Sequence, residues 1–153
     1  MVNNIRVNVK VGIVNKSNND IPQYATPGSS GMDVRAMLDG PITLSPFERK
    51  LIPTGIYVDI PEGFEIQVRS RSGLALKQGL FVLNSPGTVD ADYTGEIGVV
   101  LYNLSGQTQI VNPGDRIAQL VLTRVETAEF VELEEITKET NRGAGGYGHT
   151  GKQ

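Results

Sequence analysis

Cysteine and tryptophan are both absent from this chain of 153 residues, and His149 is its only histidine. Without cysteine the chain can form no disulfide and no thiolate metal site. A single histidine also excludes a zinc site built from several histidines. Any metal would therefore have to be bound by oxygen ligands, and the redox compartment stays undecided.

Long apolar runs are missing as well, so no segment is long enough to span a bilayer. The N-terminal sequence MVNNIRVNVKVGIV has no continuous apolar h-region, so we expect no signal peptide and a cytoplasmic location. The formal net charge of −3 does not support a broad basic surface for duplex nucleic acid. We therefore expect no nucleic-acid partner and no membrane partner, although a few arginines could still converge on one anion.

Short β-rich runs separated by glycine and proline turns make up most of the chain. Apolar residues alternate over residues 5–11, which predicts a half-buried strand. Nine further runs predict strands: DVRAML, PITLS, FERKLIPTGIYVDI, FEIQVRS, LFVL, GEIGVVLYNL, QTQIVN, RIAQLVLTRV and EFVEL. Only SGLALKQG, residues 72–79, predicts a short helix. Many short strands without interleaved helices favour one all-β sandwich or barrel over a βαβ fold.

Two regions depart from this pattern. Residues 95–104, GEIGVVLYNL, are apolar at nearly every position, which predicts burial on both faces, either inside the domain or at a subunit contact. The last fourteen residues, TNRGAGGYGHTGKQ, have no apolar periodicity and cannot offset the entropy of ordering by burying themselves. They are either a mobile end or a segment that folds onto a ligand, because its glycines would let backbone amides wrap an anion.

Four segments before the tail carry side chains suited to a nucleotide. In SRSGLALKQG, Arg71 and Ser72 precede a glycine at a strand end and could bind phosphate, or could form an ordinary strand-to-helix turn. In GSSGMDVRA, Asp33 could hold hydrated Mg²⁺ or pair with an arginine. In NPGDRIAQLV, Arg116 and Gln119 could bind a buried acid or a phosphate, or belong to a plain turn into a strand.

LNSPGTVDADYTGEIG combines more functional groups than the others. Asn84 offers the donor and acceptor needed to read a pyrimidine edge. Asp90 and Asp92 alternate at period two, so on an extended backbone they would point to one side and Tyr93 to the other. A carboxylate beside water can act as a general base, and a tyrosine ring can pack on a sugar or base. The alternative is a hairpin in which these side chains serve the turn.

Taken together, five segments in this order resemble the trimeric all-β dUTP diphosphatases (dUTPases): SSGMDVRA, RSRSGLALKQG, NSPGTVDADYTGEIG, NPGDRIAQLV and RGAGGYGHTG. They run from Ser29 to Gly151. The resemblance implies a distorted jelly-roll-like β-barrel or sandwich with a flexible glycine-rich C-terminal arm. It also implies a homotrimer with shared active sites, a core over residues 1–138, and an arm over residues 139–153 that closes over a neighbour's site.

The activity implied by the resemblance is hydrolysis of dUTP to dUMP and pyrophosphate, which keeps uracil out of DNA and supplies dUMP for dTMP synthesis. Asp90 is similar to the carboxylate that activates the attacking water. Tyr93 is similar to the ring that leaves no room for a 2′-hydroxyl, and Asn84 and Thr88 lie in the segment that reads uracil.

Phosphate contacts are implied for Arg71, Ser72 and Gln119, and for Arg142 of the arm. Gly73 and Gly148 are implied as further substrate-binding residues. Tyr147 stands where the family usually carries a phenylalanine stacked over uracil. Asp33 and Arg116 are implied as supporting residues. The resemblance implies Mg²⁺ as the cofactor, held mainly by substrate phosphates and water rather than by protein ligands.

Two rival functions remain open at this stage. A dCTP deaminase of related fold would need a glutamate near the base, and Glu96 is the only glutamate in the third motif. A catalytically silent β-trimer that binds nucleotide or a protein partner would be expected to lack Asp90 or an intact arm, and this chain has both.

Overall fold

The computed structural model describes residues 7–146. These residues form the following elements: β1 (Gly12–Asn15), β2 (Met32–Arg35), β3 (Ile42–Leu44), β4 (Arg49–Asp59), β5 (Phe64–Arg69), α1 (Ser72–Gln78), β6 (Leu80–Val82), β7 (Gly87–Val89), β8 (Glu96–Asn103), β9 (Gln109–Val111) and β10 (Arg116–Arg124). The all-β prediction and the short helix are thus confirmed. Within the described part of the chain, no helix has the length and apolar character needed to cross a membrane.

Two four-stranded sheets form the sandwich, with strand orders β1-β4-β8-β6 and β2-β10-β5-β7, and β3 pairs with β9 in a small third sheet. All of these pairs are antiparallel. Apolar side chains at alternate positions of the strands face inward, and the core draws on both large sheets. This is the jelly-roll-like arrangement that the family resemblance implies.

Buried side chains such as Ile52, Leu101 and Leu120 are at most 2% exposed, and each contributes about 1.5–3 kcal/mol by leaving water. Asn103 is buried among them, and its amide group is fully satisfied. Its Nδ2 donates to the carbonyl oxygens of Leu44 and Gln107 at 2.9 and 2.8 Å, and its Oδ1 accepts from the backbone amide and the hydroxyl of Ser105. Asn103 therefore holds the turn that follows β8.

An irregularity in β4 positions the start of β8. The register between the two strands shifts between Pro53 and Tyr57, and Gly55 there has a φ of 69°. A side chain at Gly55 would meet the backbone nitrogen of Ser17 at 2.8 Å, so glycine is required for both conformation and space. The amides freed by this bulge are used by β8, as described below.

The strand predicted over residues 5–11 is wrong for the part that the structure describes, because residues 7–11 form no strand and β1 begins at Gly12. The physical reason is the register of the partner strand. Gly12 lies opposite Asp59, the last residue of β4, so the residues before Gly12 have no strand beside them.

The strand predicted for EFVEL is also absent. β10 ends at Arg124, and residues 125–140 adopt no helix or strand. Phe130 is 96% exposed, so no described residue covers this side chain, and no strand of residues 7–146 pairs with the segment.

Burial of β8 on both faces is not found in the single chain. β8 lies between β4 and β6, and its residues alternate between fully and partly buried. Ile97, Val99 and Leu101 face the core, whereas Val100 and Tyr102 on the other face are only partly covered. Burial along β8 alternates because, within the described residues, one face of the strand packs against the core and the other face is only partly covered.

Candidate active site

The central position of β10 brings the first, second and fourth sequence motifs together. β10 pairs with β2 on one side and with β5 on the other. In this register Gln119 lies opposite Asp33 on β2 and opposite Arg69 on β5. Arg71 follows two residues after Arg69, so its guanidinium can reach the carboxylate of β2.

Asp33, Arg71 and Arg116 form what we call the arginine cluster. Arg71 donates from Nε to Oδ1 of Asp33 at 2.8 Å, and Arg116 donates from Nη1 to Oδ2 at 3.3 Å. Arg71 also donates from Nη1 to the carbonyl oxygen of Arg116 at 3.1 Å. Two guanidinium groups share one carboxylate, so the cluster keeps an excess of positive charge and unused N–H donors for an anion. Of the two sequence alternatives for Asp33, pairing with arginine is the one observed.

Ser72 and Gly73 begin α1 next to this cluster. Arg71 is the N-cap in an extended conformation, with no side-chain capping hydrogen bond, and Ser72 and Gly73 are exposed. The amides of the first helical turn have no partner within the helix, so they are available to an acceptor. Together with the Ser72 hydroxyl they supply neutral donors beside the two arginines.

Ser70 connects the second motif to the fourth and to the loop before β7. Gln119 donates from Nε2 to the carbonyl oxygen of Ser70 at 3.2 Å, and the Ser70 amide donates to Oγ of Ser85 at 3.3 Å. The amide of Val82 donates to Oγ of Ser70 at 3.0 Å. A side chain at Gly31 would lie 2.5 Å from Oε1 of Gln119, so Gly31 leaves the room that this amide occupies.

The third motif forms a separate depression, the hairpin pocket, of about 130 Å³ between β7 and β8. It is lined by Val68, Asn84, Gly87, Thr88, Val89, Tyr93, Glu96, Ile97 and Gly98. Tyr93 is 45% exposed, and its hydroxyl donates to the carbonyl oxygen of Glu96 at 2.8 Å. The lining thus combines the apolar side chains of Val68, Val89 and Ile97 with the amide of Asn84 and the ring of Tyr93.

Asp90 lies on the turn between Val89 and Tyr93, two residues that line this pocket, but Asp90 itself does not line it. β7 ends at Val89, and the amide of Tyr93 donates to the carbonyl oxygen of Asp90 at 3.1 Å. Residues 90–93 therefore form a turn, and the extended backbone from which we predicted Asp90 and Asp92 on one side is not present. Asp90 is exposed to water, three residues before the ring of Tyr93.

Glu96 serves the fold rather than the pocket chemistry. Its Oε1 accepts from the backbone amides of Thr54 and Gly55 at 3.0 and 2.7 Å, which are the amides freed by the bulge in β4. One oxygen of this carboxylate is thus committed to two backbone donors of the fold. This contact weakens the dCTP deaminase alternative.

The arginine cluster and the hairpin pocket are two distinct surfaces of one chain. Arg71 and Arg116 line a depression of about 200 Å³ together with Leu74 and Asp115, whereas none of these residues lines the hairpin pocket. Among the contacts described above, only Ser70 and Ser85 link the two surfaces. The structure therefore does not unite the predicted site residues in a single cavity of one chain.

In the arm, the structure describes residues up to Gly146. Arg142 donates from Nε to the carbonyl oxygen of Gly145 at 2.7 Å, and the amide of Gly143 donates to the carbonyl oxygen and to Oγ1 of Thr140. Arg142 is thus engaged in a local turn, and its phosphate contact stays a prediction. Tyr147 and Gly148 lie outside the described residues.

Sequence reasoning gave no role to Ser70, Gly31 or Gly95, and it did not place Glu96. All four occur within the quoted motifs. The contacts of Ser70, Gly31 and Glu96 cross between segments that are distant in sequence, whereas Gly95 contacts Tyr93, two residues away. The sequence feature that could have indicated them is a glycine close to a predicted site residue. Gly31 stands two positions before Asp33, and Gly95 stands two positions after Tyr93.

Ionisation within the described residues departs from normal at the turn between β3 and β4. The amide of Ser45 donates to Oε2 of Glu48 at 2.7 Å, and Lys50 lies 3.2 Å from Oε1. The backbone hydrogen bond, followed by the lysine, lowers the pKa of Glu48 below its ordinary value of 4.5. No residue of this turn lines the hairpin pocket or the depression beside the arginine cluster.

Known proteins resemble this chain over most of its length. The sequence model of the dUTPase family matches residues 7–151. The chain is 54% identical over 143 residues to a deoxyuridine 5′-triphosphate nucleotidohydrolase of Finegoldia magna, covering 94% of this chain and 99% of that protein. A protein of the same name from Chlamydia muridarum is 61% identical over 137 residues, covering 90% of this chain and 94% of its own.

Solved structures show the same likeness. A dUTPase mutant of Staphylococcus bacteriophage 80alpha with dUpNHpp superposes with a TM-score of 0.83 at 25% identity, covering 93% of this chain and 98% of that one. A dUTPase mutant from phage phi11 of S. aureus, in which coordination of a structural Mg(II) ion is described, has a TM-score of 0.76 at 25% identity, with coverage of 85% and 100%. This chain therefore belongs to the dUTPase family.

Proposed function

We propose that this protein is a deoxyuridine 5′-triphosphate nucleotidohydrolase that converts dUTP to dUMP and pyrophosphate. The observation that carries the proposal is that one turn holds both Asp90, which is exposed to water, and Tyr93, which lines the hairpin pocket. The family match over residues 7–151 and the related phage enzyme bound to dUpNHpp support the same substrate class.

Base and sugar recognition are assigned to the hairpin pocket. The Asn84 amide offers one donor and one acceptor, which can pair with the edge of uracil and would mismatch that of cytosine. Thr88 is exposed on β7 beside it. The ring of Tyr93 is assigned to pack under the deoxyribose, where a 2′-hydroxyl would collide with it.

Phosphate binding is assigned to the arginine cluster and its surroundings. Arg71, Ser72, Gly73 and Gln119 supply charged and neutral donors to the triphosphate oxygens. Asp33 and Arg116 act through Arg71, because the Asp33 carboxylate holds both guanidinium groups in place. Arg142 and Gly148 of the arm add contacts to the far phosphate, and Tyr147 stacks over uracil when the arm closes.

Mg²⁺ is proposed to arrive with the substrate. Both carboxylate oxygens of Asp33 already accept from arginine, and residues 7–146 contain no group of three or more aspartate, glutamate or histidine side chains placed to hold a metal. The donor set therefore fits an ion held by phosphate oxygens and water, with no direct protein ligand. When bound, the ion neutralises charge on the triphosphate oxygens.

The chemical step is assigned to Asp90. Its carboxylate accepts a proton from a water molecule as the water oxygen bonds to the α-phosphorus, and the bond from this phosphorus to the bridging oxygen of the β-phosphate breaks. The electron pair of that bond leaves with pyrophosphate, and the product is dUMP. The arginines and the first-turn amides stabilise the charge on the oxygens that take part.

A homotrimer with shared active sites is proposed for the assembly. The segment between β10 and the arm, residues 125–138, exposes Phe130, Val131, Leu133 and Ile136 by 64–96% in the single chain. Such a run of exposed apolar side chains is typical of a protein contact. Separation of the arginine cluster from the hairpin pocket in one chain also fits a site completed by a neighbour. A cytoplasmic location remains a prediction from the sequence.

The test is pyrophosphate release from dUTP, dCTP, dTTP and UTP, each with Mg²⁺, and a parallel assay for ammonia from dCTP. Release from dUTP alone is expected, because uracil and deoxyribose must both fit the hairpin pocket. Ammonia from dCTP would favour the deaminase. Binding of dUTP without pyrophosphate release would favour the silent β-trimer. Light scattering of the same sample should give three times the mass of the chain.

A further inference from the structure

Position 95 requires glycine for a reason other than backbone conformation. A Cβ atom built on Gly95 would lie 2.6 Å from Cζ of Tyr93 and 3.0 Å from Cε2, and still closer to the hydroxyl oxygen. The φ of Gly95 is outside the left-handed region, unlike that of Gly55 or Gly79, so other residues could adopt this backbone. Glycine is therefore needed here for space, and the space is filled by the ring of Tyr93.

The same ring is also held at its tip. The Tyr93 hydroxyl donates to the carbonyl oxygen of Glu96 at 2.8 Å. Glu96 is itself fixed, because its carboxylate accepts from the amides of Thr54 and Gly55 in the bulge of β4. Tyr93 thus rests on a seat made of Gly95 below the ring and the Glu96 carbonyl at the hydroxyl, and this seat is anchored to a central strand.

The exposed side of the ring belongs to the hairpin pocket. Tyr93 remains 45% exposed and lines that pocket together with Asn84 and Thr88. Any change in the seat therefore moves the wall of the pocket. To restore even an ordinary contact of 3.4 Å with a Cβ at position 95, the Cζ atom would have to move by roughly 0.8 Å.

We propose that Gly95 is a specificity-determining positioning residue, which sets discrimination between deoxyribose and ribose by leaving room for the ring of Tyr93. This rests on the proposed function and on the sugar contact assigned to Tyr93. A 2′-hydroxyl adds a single oxygen atom, so its exclusion depends on where the ring stands. The Glu96 carboxylate supports the same discrimination at longer range by fixing the start of β8.

The first experiment measures kcat/KM for dUTP and UTP in the wild type and in Gly95→Ala. The ratio of dUTP to UTP is expected to fall by about tenfold or more, the scale of discrimination by a steric fit. Gly106→Ala is the matched control, because a Cβ at this exposed glycine meets no atom within 4 Å and the residue lies outside both surfaces. Thermal denaturation of each variant confirms that it is folded.

A double-mutant cycle then separates positioning from a general structural effect. If Gly95 acts through the ring, Gly95→Ala should change the dUTP to UTP ratio by less than about twofold when it is added to Tyr93→Ala. An equal fall in both backgrounds would overturn the inference, as would an unchanged ratio in the single variant. In either case the proposed function stands if the wild type hydrolyses dUTP, whereas a wild type that does not do so overturns both.

Discussion

The hairpin pocket and the C-terminal segment, residues 125–146, differ in how far one chain completes them. In the hairpin pocket the hydroxyl of Tyr93 and the carboxylate of Glu96 both have backbone partners on neighbouring strands. In the C-terminal segment the hydrogen bonds of Arg142 and Gly143 stay within the segment, and Phe130 and Ile136 are largely exposed.

Under the proposed function, this difference separates substrate recognition from closure of the site. A pocket whose walls are already held by the fold would bind the base and sugar without a large ordering cost. A segment whose apolar residues are uncovered has to be ordered by a ligand or by a second chain, and part of the contact energy offsets that cost. Selectivity should therefore depend on the hairpin, and turnover on both regions.

The largest effect is expected from Asp90→Asn, which tests the hairpin side of this comparison. We expect kcat to fall by about 10²- to 10⁴-fold, the usual contribution of a general base, while the shape of the pocket is kept. Binding of the non-hydrolysable analogue dUpNHpp, measured by calorimetry, should stay close to that of the wild type. Asp92→Asn, in the same exposed turn, is the matched control, and near-normal turnover of Asp90→Asn would remove Asp90 from its role.

Deletion of residues 142–153 tests the C-terminal segment, the other region of the comparison. The described contacts of Arg142 are local, so the core should keep its thermal stability. Activity with dUTP should fall by about 10²-fold, because substrate positioning is lost. Circular dichroism and pyrophosphate release measure the two effects. An unfolded product would mean that the arm is structural, and full activity would mean that it is not a lid.

A smaller effect is expected from Asp33→Asn in the arginine cluster. Hydrogen bonds to charged groups contribute about 1.5–3 kcal/mol, and this change weakens the contacts that hold Arg71 and Arg116. We expect KM for dUTP to rise by about tenfold with a smaller change in kcat. The exposed residue Asp39, changed to asparagine, serves as the control. An unchanged KM would show that Arg71 needs no partner to bind phosphate.

The smallest effect concerns Glu48, outside both regions. The pKa of its carboxyl is lower in the folded chain than its ordinary value of 4.5, so the stability it contributes is present above that pH and is lost as pH falls through the folded pKa. Glu48→Gln should therefore lower Tm slightly at neutral pH, and the difference should shrink in acid. Activity should not change. A Tm difference independent of pH would contradict this assignment.

Much of the fold could be predicted from β-rich runs bounded by turns. The run RIAQLVLTRV predicts β10, and the run FERKLIPTGIYVDI predicts β4 almost to its ends. Residues 5–11 alternate and EFVEL is β-rich, yet neither forms a strand within the described residues. A strand requires a neighbour as well as a pattern, and β4 ends opposite Gly12, while no strand runs beside residues 129–133.

For the candidate site, the sequence by itself determined which chemical groups are present and which family the chain belongs to. Five ordered motifs supply Asp33, Arg71, Asp90, Tyr93 and Arg116, and the absence of cysteine and of a second histidine leaves oxygen ligands alone for a metal. These conclusions need only residue types and their order along the chain.

Only the tertiary structure decided which groups touch. It joins Asp33 to two arginines that follow it by 38 and 83 residues, and it ties Glu96 to a bulge more than 40 residues earlier. These contacts depend on strand register and on close approach across the sheets, which arise when distant strands pair and pack. Local sequence patterns carry no direct record of them.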